Sequence, residues 1–197
     1  MQTPLFNSSE ERYEHFLMAC EGAGFEPGGK FLKWLNDNNF FTAPASTKYH
    51  GAYEGGLFDH CFVVAGRLQE LTEKLDLHWQ RPESPFIVGM FHDLCKCDQY
   101  VKTAGARMNG TDTILMGDGL FHYEYNPNTI LKEHGAKSVM ILSQHLQLTE
   151  EEVLCIRYHM GPYEKEELRE FDAAIKHYEN VYWTHAADMV ASKVDGV

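Results

Sequence analysis

The sequence predicts an all-α protein with one small β-hairpin. Apolar residues recur at helical spacing along most of the chain, and capping residues and prolines mark where helices begin. Only residues 99–119 alternate and turn, at Asn109-Gly110, as a hairpin does. The 197 residues can bury one sizeable core, and neither repeats nor long linkers divide them. We therefore expect a single domain over residues 1–197.

Two helices are predicted in the first 40 residues. Serines precede acidic residues in the first, at residues 8–20, and glycines end it. The second lies within residues 27–40, where apolar residues follow Pro27 at helical spacing. A loop rich in small residues, 42–56, comes next.

Five further helices are predicted after this loop. Ser84 and Pro85 mark the start of the second of them, and a capping box formed by Thr149 and Glu152 starts the fourth. The predicted ranges are 57–75, 84–96, 128–147, 148–160 and 171–194.

Charge and cysteine content limit the classes of function. The formal net charge is -12 and no Lys/Arg run appears. Binding of a long nucleic acid is therefore not expected, because it needs a basic groove whose positive charges replace the counterions of the phosphates. A small anionic ligand is still compatible, because a metal ion inverts the local field. No apolar run approaches the roughly 20 residues that span a bilayer. Five irregularly spaced cysteines and no signal-peptide pattern predict reduced thiols in the cytoplasm.

Several of the 11 histidines lie among apolar neighbours on predicted helices. A single histidine in such a place is more often a satisfied core residue than a ligand, and the adjacent His92 and Asp93 could form a buried structural pair. Six candidate groups on five helices favour a metal site instead, since imidazole and carboxylate bind Zn, Fe, Mn, Co and Ni. The six are His60, His92, Asp93, His134, His159 and Asp188. The pair Cys95 and Cys97 is interpreted as structural.

The order H…HD…H…H…D resembles the HD-domain metal-dependent phosphohydrolase superfamily. The resemblance is carried by "GGLFDH", which opens the predicted helix 57–75, by "FHDLCK" in the predicted helix 84–96 and by "HAADMV" in the last predicted helix. The segment "KYHGAYEGGLFDH" is particularly similar to the HD domain of certain bacterial 3′→5′ exoribonucleases. Those enzymes also carry an OB-fold that grips nucleic acid, which these residues lack, so exonuclease activity is not carried over. The resemblance implies an HD-domain helical bundle with its core at about 49–192 and helices within 9–40 packed on it.

The resemblance also implies a ligand set. A first metal would be held by His60, His92, Asp93 and Asp188. A second would be held by His134 and His159, with Asp93 bridging the two ions. Two divalent ions (Mn, Fe, Ni, Co or Zn) suit in-line phosphoryl displacement. A single-metal version that uses only the first four residues is the alternative.

Lys96 follows the pair at HD-x-x-K spacing, three residues after Asp93 and on the same helical face. We expect its ammonium, acting with Asp93, to neutralise charge on phosphoryl oxygens. The alternative is an exposed lysine that complements a helix dipole.

Three further residues are candidates near the site. His50 and Glu54 lie in the loop before the first ligand helix, where substrate could approach, and His50 could act as a general acid or a phosphate contact. His185, one turn before Asp188, could orient a ligand. For His50 and His185 a purely structural role is the competing interpretation. The hairpin region 105–122 is placed where it could cover the site as a lid.

The expected function is hydrolysis of a phosphoester in a small, nucleotide-type substrate by metal-activated water. One rival is a di-iron oxygenase of the HD fold that acts on a small polyol or phosphonate, because the same ligands suit iron. Another is a degenerate, non-catalytic module that binds a nucleotide. The "GGLFDH" segment favours hydrolysis, and the complete ligand set argues against degeneracy.

Overall fold

The fold is mostly helical. A computed structural model describes residues 4–105, 114–116, 119–131, 133–162 and 165–197. These ranges contain eight α-helices and a small antiparallel sheet. The predicted class, helical with a minor β element, is confirmed at that level, while the single-domain assignment stays a prediction.

The first two helices pack on the core through phenylalanines. Helix α1 spans Ser9–Gly22 and begins where the Ser8 side chain accepts a hydrogen bond from the Glu11 amide. Helix α2 spans Gly29–Asp37. Phe16 of α1 and Phe31 of α2 point into the core. Together with three phenylalanines from other segments, they surround the ring of Phe91 at centroid distances of 5.1 to 6.4 Å. The five are Phe16, Phe25, Phe31, Phe40 and Phe86.

The next two helices cross in close contact. Helix α3 spans Gly56–Leu75 and helix α4 spans Ser84–Phe91, all of whose residues are buried. A Cβ atom added at Gly89 would lie 2.4 Å from the Cα of Ala65. The crossing therefore requires glycine at this position.

The prediction of one helix over 84–96 is wrong at its C-terminal end. Helix α4 ends at Phe91, and a 3₁₀ turn follows at Leu94–Cys97. The Cys95 amide donates to the Ser138 hydroxyl at 3.1 Å, and the Lys96 amide donates to the carbonyl three residues earlier, at Asp93. The helical hydrogen-bond ladder is thus interrupted directly after His92.

Helix α5 spans His134–Leu142 and helix α6 spans Glu150–Arg157. Helix α5 begins later than the predicted 128–147 because hydrogen bonds tie the segment before it to the residue that follows the 3₁₀ turn. There, Asn126 and Thr129 donate side-chain hydrogen bonds to the Asp98 carbonyl at 2.7 and 3.1 Å. At α6 the capping box predicted from Thr149 and Glu152 is confirmed.

The predicted terminal helix 171–194 is wrong as a single element. It is split into α7 at Lys165–His177 and α8 at Asn180–Val190, followed by a π-helical turn at Ala191–Asp195. The buried Asn180 amide donates to the His78 carbonyl and the Glu151 carboxylate, both at 2.8 Å. These bonds to distant residues fix where α8 starts.

Within the described residues, the β element has three strands. They are β1 at Tyr100–Ala104, β2 at Ile114–Met116 and β3 at Gly119–Tyr125, in the order β1-β3-β2. Tyr100 pairs with Tyr125, and both neighbours of β3 are antiparallel to it. The predicted two-stranded hairpin therefore omits the central strand, β3. The Phe-x-Tyr-x-Tyr alternation of β3 is visible in the sequence and is typical of a strand. The predicted turn at Asn109-Gly110 lies outside the described residues.

A buried ion pair fixes the start of α3. The Asp59 carboxylate accepts hydrogen bonds from the Arg12 guanidinium at 2.7 Å, the Tyr53 hydroxyl at 2.9 Å and the Leu5 amide at 2.8 Å. The side chains of Asp59 and Arg12 are 0% and 4% exposed. Because the next residue is His60, this network also positions a candidate ligand.

None of the helices within the described ranges has both the length and the apolar character needed to cross a bilayer.

We expect Asp59→Ala to lower the free energy of unfolding by about 3–5 kcal/mol, because it leaves the Arg12 charge buried without a partner. Asp37→Ala removes an exposed pair with Lys33 and is the matched control, with an expected loss below about 1 kcal/mol. Urea denaturation of both variants measures the difference. Equal losses would contradict the importance of the buried pair.

We expect Gly89→Ala to destabilise the protein by about 1–3 kcal/mol, because its methyl group collides with the α3 backbone. Gly66→Ala is the control, since it lies within α3 with open space around it. That variant should gain about 0.5–1 kcal/mol from helix propensity. Thermal denaturation of the two variants checks the opposite signs, and two shifts of the same sign would refute the close crossing.

Candidate metal centre

Four candidate ligands from three helical regions meet around one point. His60 lies on α3, His92 and Asp93 follow α4, and Asp188 lies on α8. His60 Nε2 lies 3.2 Å from His92 Nε2, 3.1 Å from Asp188 Oδ1 and 3.6 Å from Asp93 Oδ2. His92 Nε2 lies 3.4 Å from the same Asp93 oxygen. His60, His92 and Asp93 together form a buried group able to hold a metal ion.

A second group lies on the other oxygen of Asp93. His159 Nε2 is 3.4 Å, Cys95 Sγ 3.8 Å and His134 Nδ1 3.9 Å from Asp93 Oδ1. Asp93, Cys95 and His134 form a second set of potential ligand atoms. Asp93 is therefore shared by two sets, one on each carboxylate oxygen.

Backbone hydrogen bonds determine how three of the histidines are protonated. His60, His92 and His159 each have Nδ1 against a backbone oxygen, which can only accept, so Nδ1 carries the proton. The acceptors, at 3.0, 2.8 and 2.7 Å, are Val197, Gly89 and Ile156 respectively. The Nε2 atom of each ring is then directed into the centre, where it offers the lone pair that metal ligation requires once it carries no proton.

The donor set fits a cation. Metal–ligand bonds of 2.0–2.1 Å place ligand atoms roughly 2.8–3.0 Å apart at octahedral angles and roughly 3.3–3.4 Å apart at tetrahedral angles. The tetrahedral separation is close to the 3.1–3.6 Å between His60 Nε2 and its neighbours. Two imidazole lone pairs and two carboxylates facing one another repel unless a positive charge lies between them. The Nε2 atom of His159, fully buried, makes no hydrogen bond within the described part of the chain.

Lys96 supplies a positive charge beside the shared carboxylate. Its ammonium lies 2.6 Å from Asp93 Oδ2, and its side chain is 6% exposed. Burial alone would lower the pKa of Lys96, but the Asp93 carboxylate outweighs burial and holds that pKa above its ordinary value. The alternative of an exposed lysine at a helix end is therefore wrong.

Both carboxylates stay ionised. Burial alone would raise the pKa of Asp93, but the charges of Lys96 and then His92 hold it well below its ordinary range. The pKa of Asp188 is likewise lowered, against the effect of burial, by the contact with His60 and the charges of His60 and His92. Anionic oxygens on both sides of the imidazoles make the centre attractive to divalent cations.

Two of the three remaining candidates lie near the centre. The His50 ring is 5.0 Å from that of His60, while His185 Nδ1 donates to the backbone oxygen of His159 at 2.7 Å. His185 thus contacts the main chain of a candidate ligand and not its ring. Glu54 is exposed and interacts electrostatically with Tyr123 of the sheet. Among the described residues, the hydrogen bonds and ion pairs of the centre do not include Glu54.

Sequence reasoning misses two side chains at the second group. Cys95 is interpreted as structural from the sequence, although it lies two residues after Asp93. Gln99 contacts His134 Nε2 at 3.1 Å, and no sequence signal marks it. Much of the predicted lid at 105–122 lies outside the described residues.

Comparisons with known proteins identified no relative of the chain. Family models, curated proteins and solved structures were all searched, and none matches the chain.

We expect the intact protein to bind about two divalent ions and Asp93→Ala to bind neither, because each carboxylate oxygen serves one group. Asp188→Ala should lose only the ion held with His60 and His92. Elemental analysis after dialysis measures both, with the exposed Asp172→Ala as control. Equal losses from Asp93→Ala and Asp188→Ala would contradict a shared carboxylate.

Proposed function

We propose that the protein is a metal-dependent phosphohydrolase that cleaves a phosphoester of a small, nucleotide-type substrate. One observation carries this proposal: a single buried carboxylate, Asp93, joins two groups of ligand atoms with an ammonium beside it. Paired divalent ions joined by such a carboxylate suit phosphoryl displacement, in which both the attacking and leaving oxygens need stabilisation. The H…HD…H…H…D order of the sequence supports the same reaction class.

The residues divide into two sets of ligands. His60, His92 and Asp188 would hold one ion with Asp93, and His134 and His159 would hold the other with the same aspartate. When bound, such ions act as Lewis acids that lower the pKa of water and polarise phosphoryl oxygens. The chain's own contribution is to keep both carboxylates ionised and the imidazole lone pairs directed inward.

Lys96 is the proposed electrostatic partner of the phosphoryl group. Its ammonium is buried against the carboxylate of a candidate ligand, which holds the pKa of Lys96 above its ordinary value and keeps the side chain charged at neutral pH. A fixed positive charge in a site with little water stabilises developing negative charge more strongly than the same charge at a surface.

His50 supports substrate binding better than acid catalysis. Burial, followed by the charges of His60 and Lys96, lowers its pKa to about 4. The ring is therefore neutral at pH 7 and holds no spare proton for a leaving group. Its Nε2 atom is buried without a hydrogen-bond partner in the described structure, so a phosphate oxygen or sugar hydroxyl could occupy that bond.

A cavity next to the second group supports a small substrate. It has a volume of about 370 Å³ and runs from His134 and Gln99 to Tyr125 and Thr129. Sites for small ligands commonly measure about 300–1,000 Å³. The exposed Tyr125 ring at its edge offers a surface on which a base could stack.

Metal identity separates this proposal from the oxygenase. We would purify the protein without chelator and determine its metals by elemental analysis. About two equivalents of Mn, Ni, Co or Zn with phosphoesterase activity support the proposal. Two equivalents of iron with oxygen consumption and no phosphate release would replace it with the oxygenase. Bound nucleotide with neither activity would indicate a non-catalytic module.

We expect Lys96→Met to lower kcat for phosphoester hydrolysis by about 10²–10³-fold, because one fixed charge is lost next to the phosphoryl oxygens. Lys137→Met is the matched control, since Lys137 is also buried and paired with an aspartate, Asp98. Steady-state kinetics with a panel of nucleotides measures both. Similar rates for Lys96→Met and the intact protein would contradict the assigned role.

A further inference from the structure

Cys95 differs from the other four cysteines. Cys20, Cys61, Cys97 and Cys155 all lie in the hydrophobic core cluster of the described chain, and Cys95, although only 1% exposed, does not. Its sulfur instead lies among polar atoms, 3.5 Å from His134 Nδ1 and 3.8 Å from Asp93 Oδ1. A buried cysteine usually behaves as a small apolar side chain, and this environment does not suit that role.

We propose that the Cys95 thiolate is a ligand of the second metal ion, together with Asp93, His134 and His159. This inference rests on the proposed dinuclear centre and adds a sulfur ligand that the H…HD…H…H…D pattern does not contain. It gives the second position one sulfur, two nitrogens and one oxygen, while the first position has only nitrogen and oxygen.

The distances match metal–thiolate geometry. A Zn–S bond of 2.3 Å and a Zn–N bond of about 2.05 Å at a tetrahedral angle place sulfur and nitrogen roughly 3.6 Å apart. The observed separation of Cys95 Sγ and His134 Nδ1 is 3.5 Å. The corresponding sulfur–oxygen separation, to Asp93 Oδ1, is 3.8 Å.

His159 provides an independent sign of a ligand at this position. Its ring is fully buried, its Nδ1 proton is donated to the Ile156 oxygen, and its Nε2 lone pair has no hydrogen-bond donor among the described residues. That atom lies 3.4 Å from Asp93 Oδ1, which is also an acceptor. A cation between the two atoms satisfies both, whereas direct contact satisfies neither.

Helix α5 places the sulfur. The Cys95 amide donates to the hydroxyl of Ser138, and Ser138 lies one turn after His134 on the same helix. The 3₁₀ turn that carries Cys95 is thus held against the helix that carries its proposed co-ligand.

Metal preference depends on the sulfur ligand. Thiolates select zinc, cobalt or iron over manganese and magnesium. As the metal–sulfur bond forms, the thiol releases its proton to solvent, so the bound species is the thiolate. We therefore expect the second metal site to prefer a softer ion than the first site, whose ligands are only nitrogen and oxygen.

Cobalt(II) titration of the full-length, metal-free protein tests the inference. A thiolate bound to cobalt gives a charge-transfer absorption in the near ultraviolet that imidazole and carboxylate do not give. We expect this absorption in the intact protein and in Cys97→Ser, and its loss in Cys95→Ser. We also expect Cys95→Ser to bind one of the two cobalt ions at least about tenfold more weakly and the other normally.

The outcomes separate this inference from the proposed function. Two bound cobalt ions without thiolate absorption in the intact protein would overturn the Cys95 ligand and leave the dinuclear centre standing. Absorption that persists in Cys95→Ser would also overturn it. If the intact protein binds no cobalt, both the ligand and the proposed function fail. Absence of the thiolate absorption from the intact protein overturns the inference even where Cys95→Ser does not fold, which circular dichroism would reveal.

Discussion

The burial of the Asp93 carboxylate is the constraint on which the centre depends. An ionised group with 1% exposure is tolerated only when positive charge or hydrogen-bond donors surround it. Lys96 supplies one charge directly, and the imidazoles of His60, His92 and His159 approach the remaining space. With Nδ1 of each ring donating to the backbone, it is the Nε2 atoms that face the carboxylates. Together with Asp93, the Nε2 atoms of His60 and His92 form a cluster that could hold an added cation.

The rest of the fold serves to aim these atoms. Phenylalanine rings from the first two helices and their loops surround Phe91, the residue directly before His92. The close crossing at Gly89 places α3, and therefore His60, against the end of α4. The start of α3 is fixed in turn by the Asp59–Arg12 pair. Apolar packing and one buried ion pair thus determine the polar geometry of the centre.

Sequence rules predict a helix end well where the hydrogen bonds that fix it join residues close together in the chain. Ser8 and the Thr149–Glu152 capping box start α1 and α6 because their hydrogen bonds join neighbouring residues. The break after His92 and the start of α8 depend on Ser138, His78 and Glu151, which are distant in sequence. Propensity and periodicity carry no information about such partners. The central strand β3 is a different kind of miss, since its alternation is visible in the sequence.

The same distinction applies to the centre. The six candidate ligands could be selected from sequence because imidazole and carboxylate among apolar neighbours are costly without a partner, and the structure does bring them together. Cys95 could not be selected, because a buried cysteine costs nothing in an apolar core and its residue type is therefore uninformative. Only the break in the helix shows that its sulfur leaves the core and faces His134. The irregular turn that brings Asp93 between two ligand groups is thus also the feature that makes the two groups chemically unequal.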